Sequence, residues 1–137
     1  MVDLASLPIL VVDDYQAMRQ LFRTVLTLIG LTNVAFATDG ASALAKLRDQ
    51  PYRLIISDLN MEPMSGLQLL REVRADLRLR SIPFIMVTAE RDLDDVAAAK
   101  EAGVSDYIVK PFTTDVLRRK LAGVLDLRKG PCWLDAG

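Results

Sequence analysis

Acidic, basic and hydroxyl side chains stand where short apolar segments of this chain end. Asp13 and Asp14 follow "PILVV", Asp58 follows "RLIIS", Thr88 follows "PFIMV", and Lys110 closes "DYIVK". Three carboxylates gathered at one place repel one another, and a cation that prefers oxygen ligands, such as Mg²⁺, relieves that repulsion. A carboxylate is also the nucleophile that forms an aspartyl-phosphate. These residue types therefore favour magnesium-assisted phosphoryl transfer.

Each of these residues also has an ordinary structural interpretation. Asp14 and Thr88 are acceptable helix caps, Asp58 suits a loop, and Lys110 suits a solvated surface. Their joint position favours chemistry, because an ammonium and a hydroxyl beside the carboxylates are the groups that bind phosphoryl oxygens.

The apolar segments alternate with segments of helical periodicity. Strands are expected at 8–12, 33–37, 53–57, 83–87 and 106–110, and helices at 18–29, 39–48, 66–78, 92–102 and 114–127. Gly30 stands where the first helix should end. Strict alternation of this kind predicts an α/β fold, a doubly wound five-stranded parallel sheet flanked by five helices. Ligands bind such a sheet at the carboxyl ends of its strands, where the residues above lie.

Composition excludes several classes of function. The 137 residues suit one domain, and the net charge of −1 offers no general attraction for DNA or an anionic membrane. Histidine is absent, so the commonest metal ligand and general base are missing. One cysteine, Cys132, and no run long enough to span a membrane favour a cytoplasmic protein.

Four motifs carry a resemblance to a known family. "VVDD", "SDLNMEPMSG", "VTAE" and "DYIVKPF" are similar in order and spacing to the motifs of receiver domains of two-component response regulators, in particular the single-domain chemotaxis regulators. The resemblance covers residues 7–127 and implies a flavodoxin-like strand order 2-1-3-4-5. It predicts a receiver domain at 1–130 and a short tail at 131–137, where Gly130-Pro131 ends the last helix.

The resemblance implies a role for each site residue. Asp58 would be the phosphoacceptor, and Mg²⁺ would be held by Asp13, Asp14, Asp58 and the backbone carbonyl of Asn60.

Further roles follow from "VTAE" and "DYIVKPF". Thr88 and Lys110 would contact the phosphoryl group, Thr88 and Tyr107 would act as the switch, and Lys110-Pro111 would be a cis peptide bond.

Two positions depart from the family pattern. Glu62 occupies the place where the family usually has proline, and the proline here is Pro63, so the loop beside the acceptor is expected to turn differently and carry an extra charge. Leu59 replaces the tryptophan found beside the acceptor in well-studied chemotaxis regulators, and the sole tryptophan is Trp133 in the tail.

The functional expectation is a monomeric signalling switch and not an enzyme in the usual sense. A histidine kinase would supply the phosphoryl group, which the chain would transfer to Asp58 and later hydrolyse by itself. Phosphorylation-dependent binding to a protein such as a flagellar motor switch protein would be the output, without DNA or membrane. A phosphate sink or a phosphorelay intermediate is an alternative.

Basic residues suggest further interpretations. The last helix and its exit are basic, which suits a solvated surface, a docking face for an acidic partner or a site for an anionic second messenger; the residues are Arg118, Arg119, Lys120, Arg128 and Lys129. Arg71, Arg74 and Arg78 share a face of the third predicted helix, as a solvated stripe or a phosphate-binding one.

Two unrelated classes share parts of the pattern. A phosphatase of the haloacid dehalogenase type would carry its nucleophile in a D-x-D motif after the first strand, where this chain has adjacent aspartates. A flavodoxin shares the fold, but three acids would repel the flavin phosphate.

Overall fold

The computed structural model describes residues 4–89 and 93–125, which form a five-stranded parallel sheet between two layers of helices. The strands are β1 (Ile9–Val12), β2 (Val34–Ala37), β3 (Leu54–Asp58), β4 (Phe84–Thr88) and β5 (Asp106–Val109). The helices are α1 (Gln16–Ile29), α2 (Gly40–Asp49), α3 (Gly66–Ala75), α4 (Leu93–Glu101) and α5 (Thr114–Leu125), after a 3₁₀ turn at Leu4–Ser6. The sheet order is β2-β1-β3-β4-β5, which confirms the predicted fold class.

The central strands are buried on both faces, which explains their continuous apolar sequences. Successive side chains of β1 enter different cores: Leu10 and Val12 pack with α2 and α3, whereas Ile9 and Val11 pack with α1 and α5. The sheet is therefore held from both sides, and its carboxyl edge is a fixed platform for the residues that follow each strand.

Helix ends follow from local sequence. Gly30 ends α1 with a φ of 103°, and its N–H and that of Leu31 return to the carbonyl of Leu26. Capping boxes begin α2 at Asp39 and α3 at Ser65. The predicted stop at Gly30 is confirmed.

The third helix is shorter than predicted. It ends at Ala75, because Asp76 begins a turn in which its carboxylate accepts the Arg78 N–H at 2.8 Å and its carbonyl accepts the Arg80 N–H at 2.9 Å. Arg78 therefore leaves the helix that carries Arg71 and Arg74. None of the described helices is long and apolar enough to cross a membrane. The predicted tail, with Trp133 and Gly130-Pro131, lies outside the described residues.

Candidate functional site

Strand pairing brings the chemistry-bearing residues together at one edge. Val12 of β1 pairs with Ser57 of β3, Asp58 pairs with Val87 of β4, and Thr88 pairs with Val109 of β5. Residues that follow neighbouring strands in this register must lie side by side. The sequence prediction of a shared location is thereby met for Asp13, Asp14, Asp58, Thr88 and Lys110.

Three carboxylates converge at the centre of this edge. One oxygen from each of Asp13, Asp14 and Asp58 lies within 4.8 Å of the others. Asp13 is 1% exposed and Asp58 is 7% exposed, whereas Asp14 faces solvent. Among the described residues, the buried Oδ2 of Asp13 has no hydrogen-bond partner, whereas Oδ1 of Asp58 lies at ion-pair distance from the ammonium of Lys110. Buried carboxylate oxygens without donors are costly, so the cluster is suited to an added cation.

Burial dominates the electrostatics of this cluster. Loss of solvent raises the pKa of Asp13, against a smaller lowering by the hydrogen bond from the Tyr15 N–H to its Oδ1 at 2.9 Å. Loss of solvent likewise raises the pKa of Asp58, which the ammonium of Lys110 only partly offsets. Both carboxyl groups therefore resist ionisation more than ordinary aspartates, and a bound cation would remove that resistance.

Lys110 supplies the positive charge of the site. Its Nζ lies 3.1 Å from Oδ1 of Asp58, an ion-pair distance, and the two side chains are 22% and 8% exposed. The backbone N–H of Lys110 donates to the carbonyl of Thr88 at 2.7 Å, which fixes the end of β5 beside β4. Lys110-Pro111 is a cis peptide bond, as the family resemblance implies. Thr88 is 2% exposed at the end of the adjacent strand.

The loop after Asp58 is tied to the body of the protein. The Leu59 N–H donates to the carbonyl of Val87 at 2.8 Å, and the carbonyl of Leu59 accepts the Gly66 N–H at 2.9 Å. A Cβ on Gly66 would lie 2.2 Å from the carbonyl oxygen of Asp58, so only glycine allows this close approach. The backbone around Asp58 is consequently held from both sides.

The two departures from the family pattern lie in different places, Glu62 and Pro63 at the rim of the site and Leu59 in the core. Asn60, Glu62 and Ser65 line a cleft of about 350 Å³ that opens beside Asp14. Glu62 is exposed, and Glu62-Pro63 is a second cis peptide bond. The extra charge expected from the sequence therefore lies at the edge of the cleft. Leu59 is buried in the core.

This donor set fits a hard divalent cation. The carboxylate oxygens of Asp13, Asp14 and Asp58 are the ligands that Mg²⁺ prefers, and an unpartnered buried oxygen of Asp13 is available for a cation. The use of the Asn60 carbonyl stays a prediction, because it rests on the resemblance alone.

The predicted switch residue Tyr107 lies on β5, where it pairs with Met86 and packs, half-buried, against the core shared with α2 and α3. Its role stays a prediction. Sequence reasoning missed its neighbours: Lys120 of α5 lies over the tyrosine ring and pairs with Asp106. The spacing of 14 residues between Asp106 and Lys120 gives no local signal for this contact.

The basic residues prove to be partnered where the structure describes them. Arg118 and Arg119 pair with Asp115 at 2.6 and 2.9 Å, and Lys120 pairs with Asp106 at 3.0 Å. An anionic second messenger would have to compete with these carboxylates. That alternative stays a prediction, since Arg128 and Lys129 lie outside the described residues.

Arg74 is neither a solvated nor a phosphate-binding residue. It is half-buried and donates to three backbone carbonyls: Gly103 at 2.9 Å, Arg80 at 3.0 Å and Ile82 at 2.6 Å. It joins α3 to the loops before β4 and β5, at the end of the sheet opposite the carboxylates.

Comparison with known proteins agrees with this arrangement. The family model for the response regulator receiver domain matches residues 9–122. The chain belongs to the response regulator receiver family. Among curated relatives of this receiver, the chemotaxis protein CheY of Pseudomonas aeruginosa is 43% identical over 122 residues, 89% of this chain and 98% of that protein. The chemotaxis protein CheY-3 of Vibrio cholerae is 38% identical over 121 residues, 88% of this chain and 93% of that protein.

Solved structures show the same fold. Chemotaxis protein CheY4 of Vibrio cholerae superposes on the receiver with a TM-score of 0.80 at 33% identity, over 85% of this chain and 97% of that one. The receiver domain of a sensor histidine kinase of Pseudomonas aeruginosa superposes with a TM-score of 0.79 at 29% identity, over 87% of this chain and 97% of that one. In that second structure a magnesium ion is coordinated in the active site cleft.

Proposed function

We propose that this receiver accepts a phosphoryl group on Asp58 from a histidine kinase and signals through phosphorylation-dependent protein binding. The observation that carries the proposal is the buried carboxylate cluster, in which Oδ1 of Asp58 faces the ammonium of Lys110 at 3.1 Å. A nucleophile, a cation-binding pair and a positive side chain are thus placed together, and phosphoryl transfer requires little else.

The residues of the chain would divide the reaction between them. A carboxylate oxygen of Asp58 attacks phosphorus, a P–O bond forms as the P–N bond of the kinase phosphohistidine breaks, and the electron pair returns to the imidazole. The Lys110 ammonium, which lies beside Asp58, would bind one oxygen of the transferring group, and the Thr88 hydroxyl would bind a second. Asp13, Asp14, Asp58 and the Asn60 carbonyl would hold Mg²⁺, which would supply positive charge to offset the carboxylates and the transferring group.

Hydrolysis of the acyl phosphate would then reset the chain. Water attacks phosphorus, the P–O bond to Asp58 breaks, and inorganic phosphate leaves. The chain would catalyse both steps on itself, so that it is a timed signalling switch and not an enzyme that turns over a free substrate.

Chemotaxis is the pathway that we propose. Support comes from the two curated relatives, which are named as chemotaxis proteins and match nearly the whole of this chain. The upstream partner would be a chemotaxis histidine kinase and the downstream partner a flagellar motor switch protein, both reached in the cytoplasm.

The test is phosphorylation of the purified chain by acetyl phosphate. With Mg²⁺ we expect one phosphoryl group per chain, detected as a shift on a phosphate-affinity gel, and none in Asp58→Asn. Asp49→Asn, which changes an exposed carboxylate at the other end of the sheet, serves as the matched control. A label mapped to Asp13 or Asp14 would overturn the acceptor assignment, and equal labelling in excess EDTA would overturn the role of the metal.

A further inference from the structure

Lys120 reaches from α5 across to β5 and makes two contacts there. Its Nζ lies 3.0 Å from Oδ1 of Asp106 and 5.3 Å from the centre of the Tyr107 ring. The distance to Asp106 is that of an ion pair, and the distance to the ring is within the range of a cation–π contact. The Lys120 and Asp106 side chains are 33% and 31% exposed, so water screens the pair less than it would on an open surface.

The same carboxylate oxygen also holds the backbone of the tyrosine. The Tyr107 N–H donates to Oδ1 of Asp106 at 2.8 Å. Asp106, Tyr107 and Lys120 therefore form a closed unit, here called the β5–α5 latch, in which the ammonium is placed over the ring by an anion attached to the strand. Rotation of the ring away from α5 requires Lys120 to give up the cation–π contact.

The latch lies on the strand that leads to the phosphorylation site. Tyr107 pairs with Met86 and Val109 pairs with Thr88 along the same β4–β5 ladder. Lys110 follows at once and forms the ion pair with Asp58. One short strand thus carries the latch near its amino end and the cation of the site at its carboxyl end.

We propose that Lys120 is a positioning residue that sets the orientation of the Tyr107 ring, and that this contact is energetically coupled to occupancy of Asp58 through β5. The inference rests on the proposed function for its second half only, since the latch itself is a property of the unmodified chain. Lys120 would thereby determine which face of Tyr107 is offered to a protein partner.

Arg119 provides a matched control. It precedes Lys120 in the same helix, is 76% exposed, and forms its ion pair with Asp115 of α5 itself at 2.9 Å. Removal of its charge changes the net charge by the same amount as removal of the Lys120 charge. Lys120→Met and Arg119→Met each keep an unbranched, helix-compatible side chain, so both are expected to fold.

The first measurement tests the latch in the unmodified protein by NMR. We expect the ε-methylene protons of Lys120 to be shifted upfield by the Tyr107 ring relative to those of the exposed Lys46, and to lose that shift in Tyr107→Leu. The Tyr107 ring signals should move in Lys120→Met and stay unchanged in Arg119→Met. Lys120 protons at the Lys46 position, or ring signals that ignore Lys120→Met, would overturn the latch.

The second measurement tests the coupling with beryllofluoride and Mg²⁺, a mimic of the phosphoryl group. Because coupling is reciprocal, Lys120→Met should change the apparent Kd for beryllofluoride by roughly 2- to 5-fold relative to Arg119→Met. Equal Kd values in the two variants would overturn the coupling. Failure of the wild-type chain to bind beryllofluoride would instead count against the proposed function, while the NMR measurement would still decide the latch.

Discussion

The two ends of the β-sheet hold their charged groups in opposite ways. At the carboxyl end, Asp13 is buried with an unpartnered oxygen and Asp58 is buried beside the Lys110 ammonium, and burial raises the pKa of both carboxyl groups. At the amino end, Arg74 satisfies three carbonyls at 2.6 to 3.0 Å, although burial lowers the pKa of its guanidinium. At the amino end, hydrogen bonds within the fold offset the cost of burying a charge. At the carboxyl end, the contacts within the fold do not offset that cost fully.

This difference distinguishes a charged group that stabilises the fold from charged groups that are available to a ligand. The Arg74 guanidinium has a planar fork that matches fixed backbone acceptors, and its Nε and Nη1 are hydrogen-bonded within the folded chain. The carboxylates repel one another until a cation offsets their charge. The carboxylate cluster, whose charges are the least offset within the fold, is therefore the part of the molecule most able to respond to a ligand.

Removal of the Arg74 contacts should give the largest change in stability. For Arg74→Met we expect a loss of about 2–3 kcal/mol in the free energy of unfolding, because three carbonyls lose a charged donor and must be hydrated or left unsatisfied. Arg71→Met, one turn earlier and exposed, should change it by less than about 0.5 kcal/mol. Urea unfolding followed by circular dichroism measures the free energy of unfolding of both variants. Equal effects would show that the Arg74 contacts add nothing to stability.

Binding of Mg²⁺ at the carboxyl end of the sheet should change the free energy of unfolding by a smaller amount. At concentrations of about 10 to 30 times its Kd, Mg²⁺ should raise the free energy of unfolding by about 1–2 kcal/mol. The increase should be absent in Asp13→Asn and Asp58→Asn and unchanged in Arg71→Met. Thermal unfolding with and without Mg²⁺ is the measurement, and stabilisation that survives both substitutions would place the ion elsewhere.

A neutral substitution in the carboxylate cluster should have the smallest of the three effects. In the metal-free chain at pH 7, Asp13→Asn should raise the free energy of unfolding by about 1 kcal/mol. Asparagine keeps an oxygen for the Tyr15 N–H while it removes one of the converging charges. Because the folded state raises the pKa of Asp13 above its ordinary value of 3.8, folding favours the protonated group, and stability falls as pH rises from 3.8 through the folded pKa.

The advantage of Asp13→Asn should therefore vanish below pH 3.8, where Asp13 is protonated in both the folded and the unfolded state. A pH series of urea unfolding curves on the two proteins checks this. An advantage that is constant from pH 3 to pH 8 would contradict an electrostatic cause.

The sequence predicts the carboxyl end of the sheet far better than the amino end. Apolar strands that end in Asp13, Asp58, Thr88 and Lys110 reveal both the sheet and its functional edge, because pattern and position are local in the chain. The roles of these residues stay predictions until the site is assayed.

Arg74 shows why the other end was misread. Helical spacing with Arg71 and Arg78 indicates a solvated stripe, but α3 ends at Ala75 and the carbonyl of Gly103 lies 29 residues away. Acceptors supplied by distant loops leave no periodic signal. Lys120 over Tyr107 was missed for the same reason.

The strand order also has a consequence for how the chain is synthesised. Asp58 lies on the central strand β3, yet its ion-pair partner Lys110 follows β5, the last strand to be made. A ribosome needs roughly 5 to 20 s to add the residues between Asp13 and Lys110 at about 5–20 residues per second. A nascent chain stalled before β5 has made its first four strands but lacks the cation that pairs with Asp58. Under the proposed function, phosphorylation of a nascent chain by small donors would therefore mark the moment at which β5 and Lys110 have been added.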